Sequence, residues 1–323
     1  MVTDLIIPDS VTTIGDQAFS GYDSLTSVTI PDSVTTIGYQ AFYECDSVTS
    51  VTIGKGVTSI GNYAFAGCTG KLIVNCNIPS KNYDDRTGFY NAEFSEVIIC
   101  NGVTTIGDWT FYHCSSLTSV TIPDSVTKIG DLAFSGCDGL TSITIPDSVT
   151  TIGEEAFYEC DSLTSVTIGK GVTSIGNYAF AGCTGKLIVN CNIPGKSNVD
   201  YGNGFYNAEF SEVIICNGVT TIGSYAFYVC ESLISITIPD SVTKIGEGAF
   251  CYCSSLTSVY CNATTPPIGN ILMFHGNADD RKIYVPKSSE HKYKIDEYWC
   301  DYADDIVSFD FESTITIHPQ MVR

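Results

Sequence analysis

"LTSVTIPDSVTTIGYQAFYECDS", residues 25–47, is one full period of a pattern that runs through most of the 323-residue chain. Its phenylalanine returns every 23 residues: at Phe19, Phe42 and Phe65, at Phe111, Phe134, Phe157 and Phe180, and at Phe227 and Phe250. A unit that short cannot bury its own apolar face. It buries it against the copies before and after it, which is the logic of a solenoid. In "LTSVTI", Leu25, Val28 and Ile30 point inward while Ser27 and Thr29 alternate outward, a short strand with one wet face. Pro31 then sets φ, and the Asp32 and Ser33 side chains bond local N–H groups, so "PDS" is a turn. "VTTIG" sends Val34 and Ile37 inward from a second short strand closed by Gly38, and "YQAFYEC" predicts a single helical turn inserting Ala41, Phe42 and Cys45. Units stacked in parallel at about 4.8 Å, about a dozen of them, give an arc on the order of 55–60 Å.

A second repeat lies over the first. Residues 30–133 recur at 145–249 with an offset of 115, five periods, and "VTIGKGVTSIGNYAFAGCTGKLIVNCNIP" is identical at 51 and 166. The offset becomes 116 where "SKNYDDRTG" at 80 is replaced by "GKSNVDYGNG" at 195. A scaffold carried twice nearly verbatim suits a binding surface that grows by adding units better than a compact enzyme. The organisation expected is a solenoid over 1–285 holding the duplicated block, a cap over 286–308, and a tail, 309–323, outside the pattern.

Composition narrows the function classes. Hydrophobic residues make up 44%, ample for a core, while 36 acidic against 15 basic residues give a net charge of -21. So acidic a body repels phosphate backbones and anionic lipid, which argues against nucleic acid and membrane surfaces as partners. No apolar run approaches the roughly 18–20 residues of a membrane span, so no membrane insertion is expected. "VTDLIIP" directly after Met1 is already mid-repeat, so a leader or further repeats are expected upstream.

The L-x-x-L-x-L strand followed by "IP-x-S-V-T-x-IG-x-x-AF-x-x-C" resembles the BspA-like branch of the leucine-rich repeat proteins over roughly residues 2–308. "YCNATTPPIG" and "KIYVPKSSEHKYKIDEYWCDYADDI" look like that family's last unit and capping segment. The resemblance implies a leucine-rich repeat solenoid with a parallel β-sheet on the concave face and a C-terminal capping helix. It also implies an extracellular or cell-surface protein of a microbe, with adhesion or protein binding as its role. Ile295, Tyr298 and Tyr302 fall at helical spacing, and a helix there covers the last strand edge, which otherwise invites aggregation. The N-terminal strand around Leu5 is a bare edge, open to an edge-on dimer.

The fifteen cysteines are the first chemical candidates. Cys45, Cys68, Cys114, Cys137, Cys160, Cys183, Cys230 and Cys253 share one repeat position, with Tyr22, Asn91 and Asn207 expected in the same slot. This reads as a ladder of buried thiols donating to backbone carbonyls. Only Cys251 and Cys253 approach zinc-ligand spacing and no second pair follows, so no metal or cofactor is expected. The histidines are scattered, and no G-x-S-x-G or H-E-x-x-H occurs, so no catalytic residue is assigned. Asp9, Asp32, Asp124, Asp147 and Asp240 line one edge as turn residues, with a shared-cation rail as the sharper alternative.

The outward strand positions are mostly Ser and Thr. Two patches depart from this: Lys71 and Ile73 beside Glu96 and Ile98, and Lys186 and Ile188 beside Glu212 and Ile214. Either these are cross-strand pairs with aliphatic neighbours, worth about 0.2–1 kcal/mol, or the exposed isoleucines grip a ligand. Tyr260 and Tyr284 extend the face with aromatics, a residue type favoured at interfaces. The loops that differ between the copies carry Tyr83, Asp84, Asp85 and Arg86, or Asn198, Asp200 and Tyr201, as further candidate contacts. The expected partner is a host or neighbouring-cell protein or glycan; the rival reading is an architectural spacer presenting another module.

Overall fold

In the computed structural model of the chain, residues 4–78, 88–195, 203–270 and 272–311 are described. Each unit winds once around a shared core. Its four-residue strand pairs in parallel with the same strand of the next unit, Ser27, Val28, Thr29 and Ile30 facing Ser50, Val51, Thr52 and Ile53. Val28, Ile30, Val51 and Ile53 are buried, as the alternation predicts. A second ladder of two-residue strands, such as Thr13–Ile14, Thr36–Ile37 and Ser59–Ile60, runs alongside.

Between the two ladders stands a column of twelve phenylalanines, from Phe19 to Phe274, stacked at centroid spacings of 5.0–5.4 Å. Three of them, Phe89, Phe205 and Phe274, escape the 23-residue count. The inserted loops lengthen the units before Phe89 and Phe205, and the last unit is longer too. The column stays continuous across these units, since a missing ring would leave a void in a close-packed core.

The cysteine ladder is present. The Sγ of each of the eight repeat cysteines donates to the carbonyl of the column phenylalanine one unit earlier, as Cys137 does to Phe111 at 3.2 Å and Cys160 to Phe134 at 3.1 Å. All fifteen thiols are free. The other occupants of the slot differ from expectation. Ala92 and Ala208, three residues after Phe89 and Phe205, fill it and are buried, whereas Asn91 and Asn207 lie at left-handed positions with φ of 58° and 56°. The one-residue slip introduced by the loops accounts for the misassignment. Tyr22 is 54% exposed and packs edge-on to Phe19.

The segment around each phenylalanine is not a helical turn. The N–H groups of Gln40, Phe42 and Glu44 donate to the carbonyls of Asn62, Ala64 and Ala66 in the next unit at 2.7–3.0 Å. Alternate N–H groups reach the next unit because in most described units two residues, one two before and one two after the phenylalanine, are left-handed, as at Gln40 (φ 51°) and Glu44 (φ 54°). A helical turn would direct those donors within the unit and leave the next unit's carbonyls unpaired.

The long sheet is interrupted once. Six strands run from Asp4–Ile6 to Ser119–Thr121 and eight from Ser142–Ile145 to Ile306–Phe309. Among the described residues no backbone hydrogen bond joins Ser119–Thr121 to Ser142–Ile145, and Val120 and Ile122 are only partly buried. The corresponding strands of the second copy, Ser235–Ile238 and Ser258–Cys261, pair in register. At the seam Gly139 stands where that later unit has Ser255, and a Cβ there would meet the Ser115 carbonyl oxygen at 2.6 Å.

At the C-terminus a helix, Glu290–Ile295, is present, but its packing differs from the expected Ile295, Tyr298 and Tyr302 face. Ile295 is 67% exposed, while Tyr293 and Trp299 are fully buried. The helix stops after six residues at an extended Asp296, so helical spacing does not carry on to residues 298 and 302. Trp299 ends the phenylalanine column, 5.9 Å from Phe274, and its ring N–H donates to the Pro267 carbonyl at 2.9 Å. The last long strand, Lys282–Pro286, is covered by a further parallel strand, Ile306–Phe309, rather than by the helix.

Candidate functional site

The outward face of the long sheet is where side chains are free to vary, because every inward position is committed to the core. Its Ser and Thr rows continue from unit to unit in register. Strands Thr69–Val74 and Glu93–Ile99 pair Lys71 with Glu96 and Ile73 with Ile98. Thr184–Val189 and Glu209–Ile215 repeat this with Lys186 opposite Glu212 and Ile188 opposite Ile214. In both copies the ammonium lies 3.4 Å from the carboxylate. The four isoleucines are half-buried rather than fully exposed, since each ring-free side chain shelters the one across the strand gap. Both patches begin at a glycine with positive φ, Gly70 and Gly185, where the pairing register slips by one residue. A Cβ at Gly70 would stand 2.1 Å from the Thr49 carbonyl oxygen, so the chain can cross there only as glycine.

Tyr260 and Tyr284 face each other across paired strands and stack at 4.8 Å. Two residues that the sequence reasoning missed join them. Phe309 packs edge-on to both tyrosines at 5.6 and 5.4 Å, and Phe311 packs on Phe309 at 4.8 Å. The alternation of "IVSFDF" was the available signal. Ile234, 53% exposed just before its strand, is another apolar departure where most units have Thr. At the seam the face opens into a cleft of about 520 Å³ lined by Ser119, Thr121, Ser142, Thr144, Thr167 and Asn190 among others.

Of the remaining candidates, the turn residues Asp124 and Asp147 stand at the edge of this cleft. Asp32 and Asp147 accept the backbone N–H of Lys55 and Lys170 at 2.8 and 2.9 Å, and Lys170 also reaches Asp147 through its ammonium at 2.9 Å. These bonds hold the Asp147 carboxyl below the usual carboxylate range. Among the described residues no three His, Cys, Asp or Glu side chains converge as a metal site would need. Burial pushes the Cys137 and Cys183 thiols up and those of Cys114 and Cys160 to about 12, which keeps these four protonated and unreactive at neutral pH. Tyr83, Asp84, Asp85 and Arg86, and Asn198, Asp200 and Tyr201, lie outside the described residues.

The model of the BspA type leucine rich repeat region, six copies, matches residues 1–85, 84–202 and 201–321. The chain belongs to this family. Among solved structures it is similar to a leucine rich cell surface protein from Faecalibacterium prausnitzii at 30% identity, covering 95% of this chain and 85% of that one with a TM-score of 0.40. A leucine-rich repeat protein from Bacteroides ovatus is similar at 26% identity, with 93% and 88% covered and a TM-score of 0.48. A comparison with curated proteins returns no match. Among the described residues no helix is long and apolar enough to cross a membrane.

Proposed function

We propose that this BspA-type chain is a non-enzymatic cell-surface or secreted recognition protein that binds a protein or glycan through the outward face of its long sheet. The observation that carries the reading is the repeated quartet. Lys71, Glu96, Ile73 and Ile98 on one copy match Lys186, Glu212, Ile188 and Ile214 on the other, in the same register. On a face otherwise built of Ser and Thr, a half-buried aliphatic pair beside an ion pair offers apolar area with a polar rim, the usual anatomy of an interface. The stacked Tyr260 and Tyr284 with Phe309 add a second anchor of the residue types that dominate binding energy. Surface location is supported by the family and by the similar cell surface protein.

An architectural spacer is the second reading, favoured by the unbroken phenylalanine column. The test is binding of the purified chain to a panel of extracellular-matrix proteins, mucins and cell-surface glycans, beside the Ile73→Ser, Ile188→Ser variant. Saturable binding lost in the variant at unchanged Tm supports recognition by this face. No binding anywhere on the panel favours the spacer.

A further inference from the structure

A different surface carries a second inference. The turn segments around the column phenylalanines form one long side of the solenoid, and their aromatic side chains touch from unit to unit. In and just beyond the second copy Tyr178, Tyr206, Tyr228, Tyr252 and His275 form a chain with ring centroids 5.3–5.9 Å apart, and Tyr225 packs on Tyr228 at 5.9 Å. The first copy does the same with Tyr63, Tyr90, Tyr112 and His113, Trp109 lying 4.7 Å from Tyr112. These rings are half-buried or exposed, Tyr252 at 46%.

The backbone makes this arrangement costly. Tyr63, Trp109, Tyr178, Tyr225, His113 and Tyr252 sit at the two left-handed positions of their units, with φ between 53° and 61°. Other units place glycine there, as at Gly67, Gly136, Gly182 and Gly248. A bulky residue in that conformation costs on the order of 1 kcal/mol or more that glycine does not. Three of the rings also pack against a glycine of the next unit. A Cβ at Gly248 would meet the Tyr225 ring at 2.6 Å, one at Gly276 the Tyr252 ring at 2.7 Å, and one at Gly136 the His113 ring at 2.5 Å. Glycine at these positions leaves the room that each ring occupies, and the rings stay part exposed.

Acidic residues dominate this side, although Lys128 reaches Asp108 from the short-strand ladder at 3.9 Å. From three residues before to four after each column phenylalanine, none of the described residues is Lys or Arg. Carboxylates stand among the rings instead: Tyr225 donates to Glu247 at 2.7 Å, and Glu44 and Glu159 hydrogen-bond Tyr43 and Tyr158 and push their hydroxyls up. Ring faces and carboxylates both attract cations, and guanidinium groups stack on tyrosine in preference to remaining solvated alone. A β-extended peptide repeats its side chains on one side about every 6–7 Å, somewhat longer than the ring spacing and within reach of flexible arginine side chains.

We propose that this aromatic, acidic side of the solenoid binds an extended arginine- or lysine-rich segment of a partner protein, its cations lying over the tyrosines and paired with the interleaved carboxylates. The surface is separate from the outward sheet face and does not depend on the reading above. The test uses the full chain and a labelled peptide of alternating arginine and serine about sixteen residues long, with glutamine-serine and glutamate-serine peptides as controls. Titrations are made near physiological salt. Two charge-neutral variants are compared. Tyr178→Gly with Tyr225→Gly and Tyr252→Gly puts glycine where the backbone is left-handed; Tyr206→Leu with Tyr228→Leu keeps apolar cover and removes the π faces. The expected result is saturable binding of the arginine peptide only, weakened about tenfold or more in each variant, and unaffected by Ile73→Ser with Ile188→Ser. Undiminished affinity in both variants would mean diffuse attraction to the chain's net charge and would overturn the proposal. So would equal binding of the glutamine peptide, or no saturable binding at all.

Discussion

Phe157 stands in the middle of the phenylalanine column, fully buried, with Phe134 at 5.3 Å on one side and Phe180 at 5.2 Å on the other. Replacing it with alanine leaves its backbone bonds intact: its N–H still donates to the Ala179 carbonyl and its own carbonyl still accepts from Cys183 Sγ. The loss is therefore confined to the ring. Burial and cavity terms for a buried phenylalanine come to about 3–5 kcal/mol. That range already contains the lost ring contacts, and with two stacked neighbours the site belongs at its upper end, about 5 kcal/mol. Phe19, only partly buried with one column neighbour, sets the comparison and should cost about half as much. Urea denaturation followed by far-UV circular dichroism reads both. Because solenoid units stabilise only their neighbours, Phe157→Ala should also split one transition into two. A cost below about 2 kcal/mol for Phe157→Ala, or equal costs for the two variants, would refute the column as the main source of cohesion.

Two further outcomes follow from the thiols and the ion pairs. In the native chain a thiol reagent near pH 8 should modify the exposed Cys300 first and the half-buried Cys100 and Cys216 slowly, leaving the twelve buried thiols for denaturant; rapid labelling of Cys137 or Cys160 would contradict the ladder. The folded thiols of Cys114, Cys137, Cys160 and Cys183 titrate above their unfolded value, so their stabilisation is complete below about pH 8.5 and is lost as pH rises through the folded values. Stability should then fall between about pH 9 and about 12, the position of Cys114 and Cys160, and a flat profile over that window would count against the burial argument. A double-mutant cycle on Lys71 and Glu96, 3.4 Å apart with side chains 40% and 42% exposed, should give a coupling of about 0.2–1 kcal/mol that fades in high salt.

Much of this architecture is legible in the sequence because a solenoid is governed by local period. The inward Val and Ile and the thiol ladder follow from counting residues; Lys71 on Glu96, 25 residues on, is legible only by matching the apolar alternation of the two strands. What counting misses are features set by neighbouring units. The left-handed turn positions carry Gln, Glu, Tyr and Trp instead of the glycine that would announce them, so "YQAFYEC" looks helical when read alone. Phe89 and Phe205 fall off the count because the inserted loops slip the frame, which also moves Asn91 and Asn207 out of the thiol slot. The aromatic side escapes notice because its rings come from three different repeat positions in successive units. Phe309 was hidden in a segment with no repeat signature, although it is held by the strand that finishes the sheet.

The seam between Ser119–Thr121 and Ser142–Ile145 makes the molecule mechanically uneven. Across it the two halves are joined by the short-strand ladder, the turn bonds and the Phe111–Phe134 stack at 5.3 Å, and by none of the long-sheet bonds present between other neighbours. A load applied along the stacking direction therefore meets its least resistance at the join of the duplicated blocks. Stretching would open this crevice on one side while the aromatic column acts as the pivot, and the rod would bend there before any unit unravels.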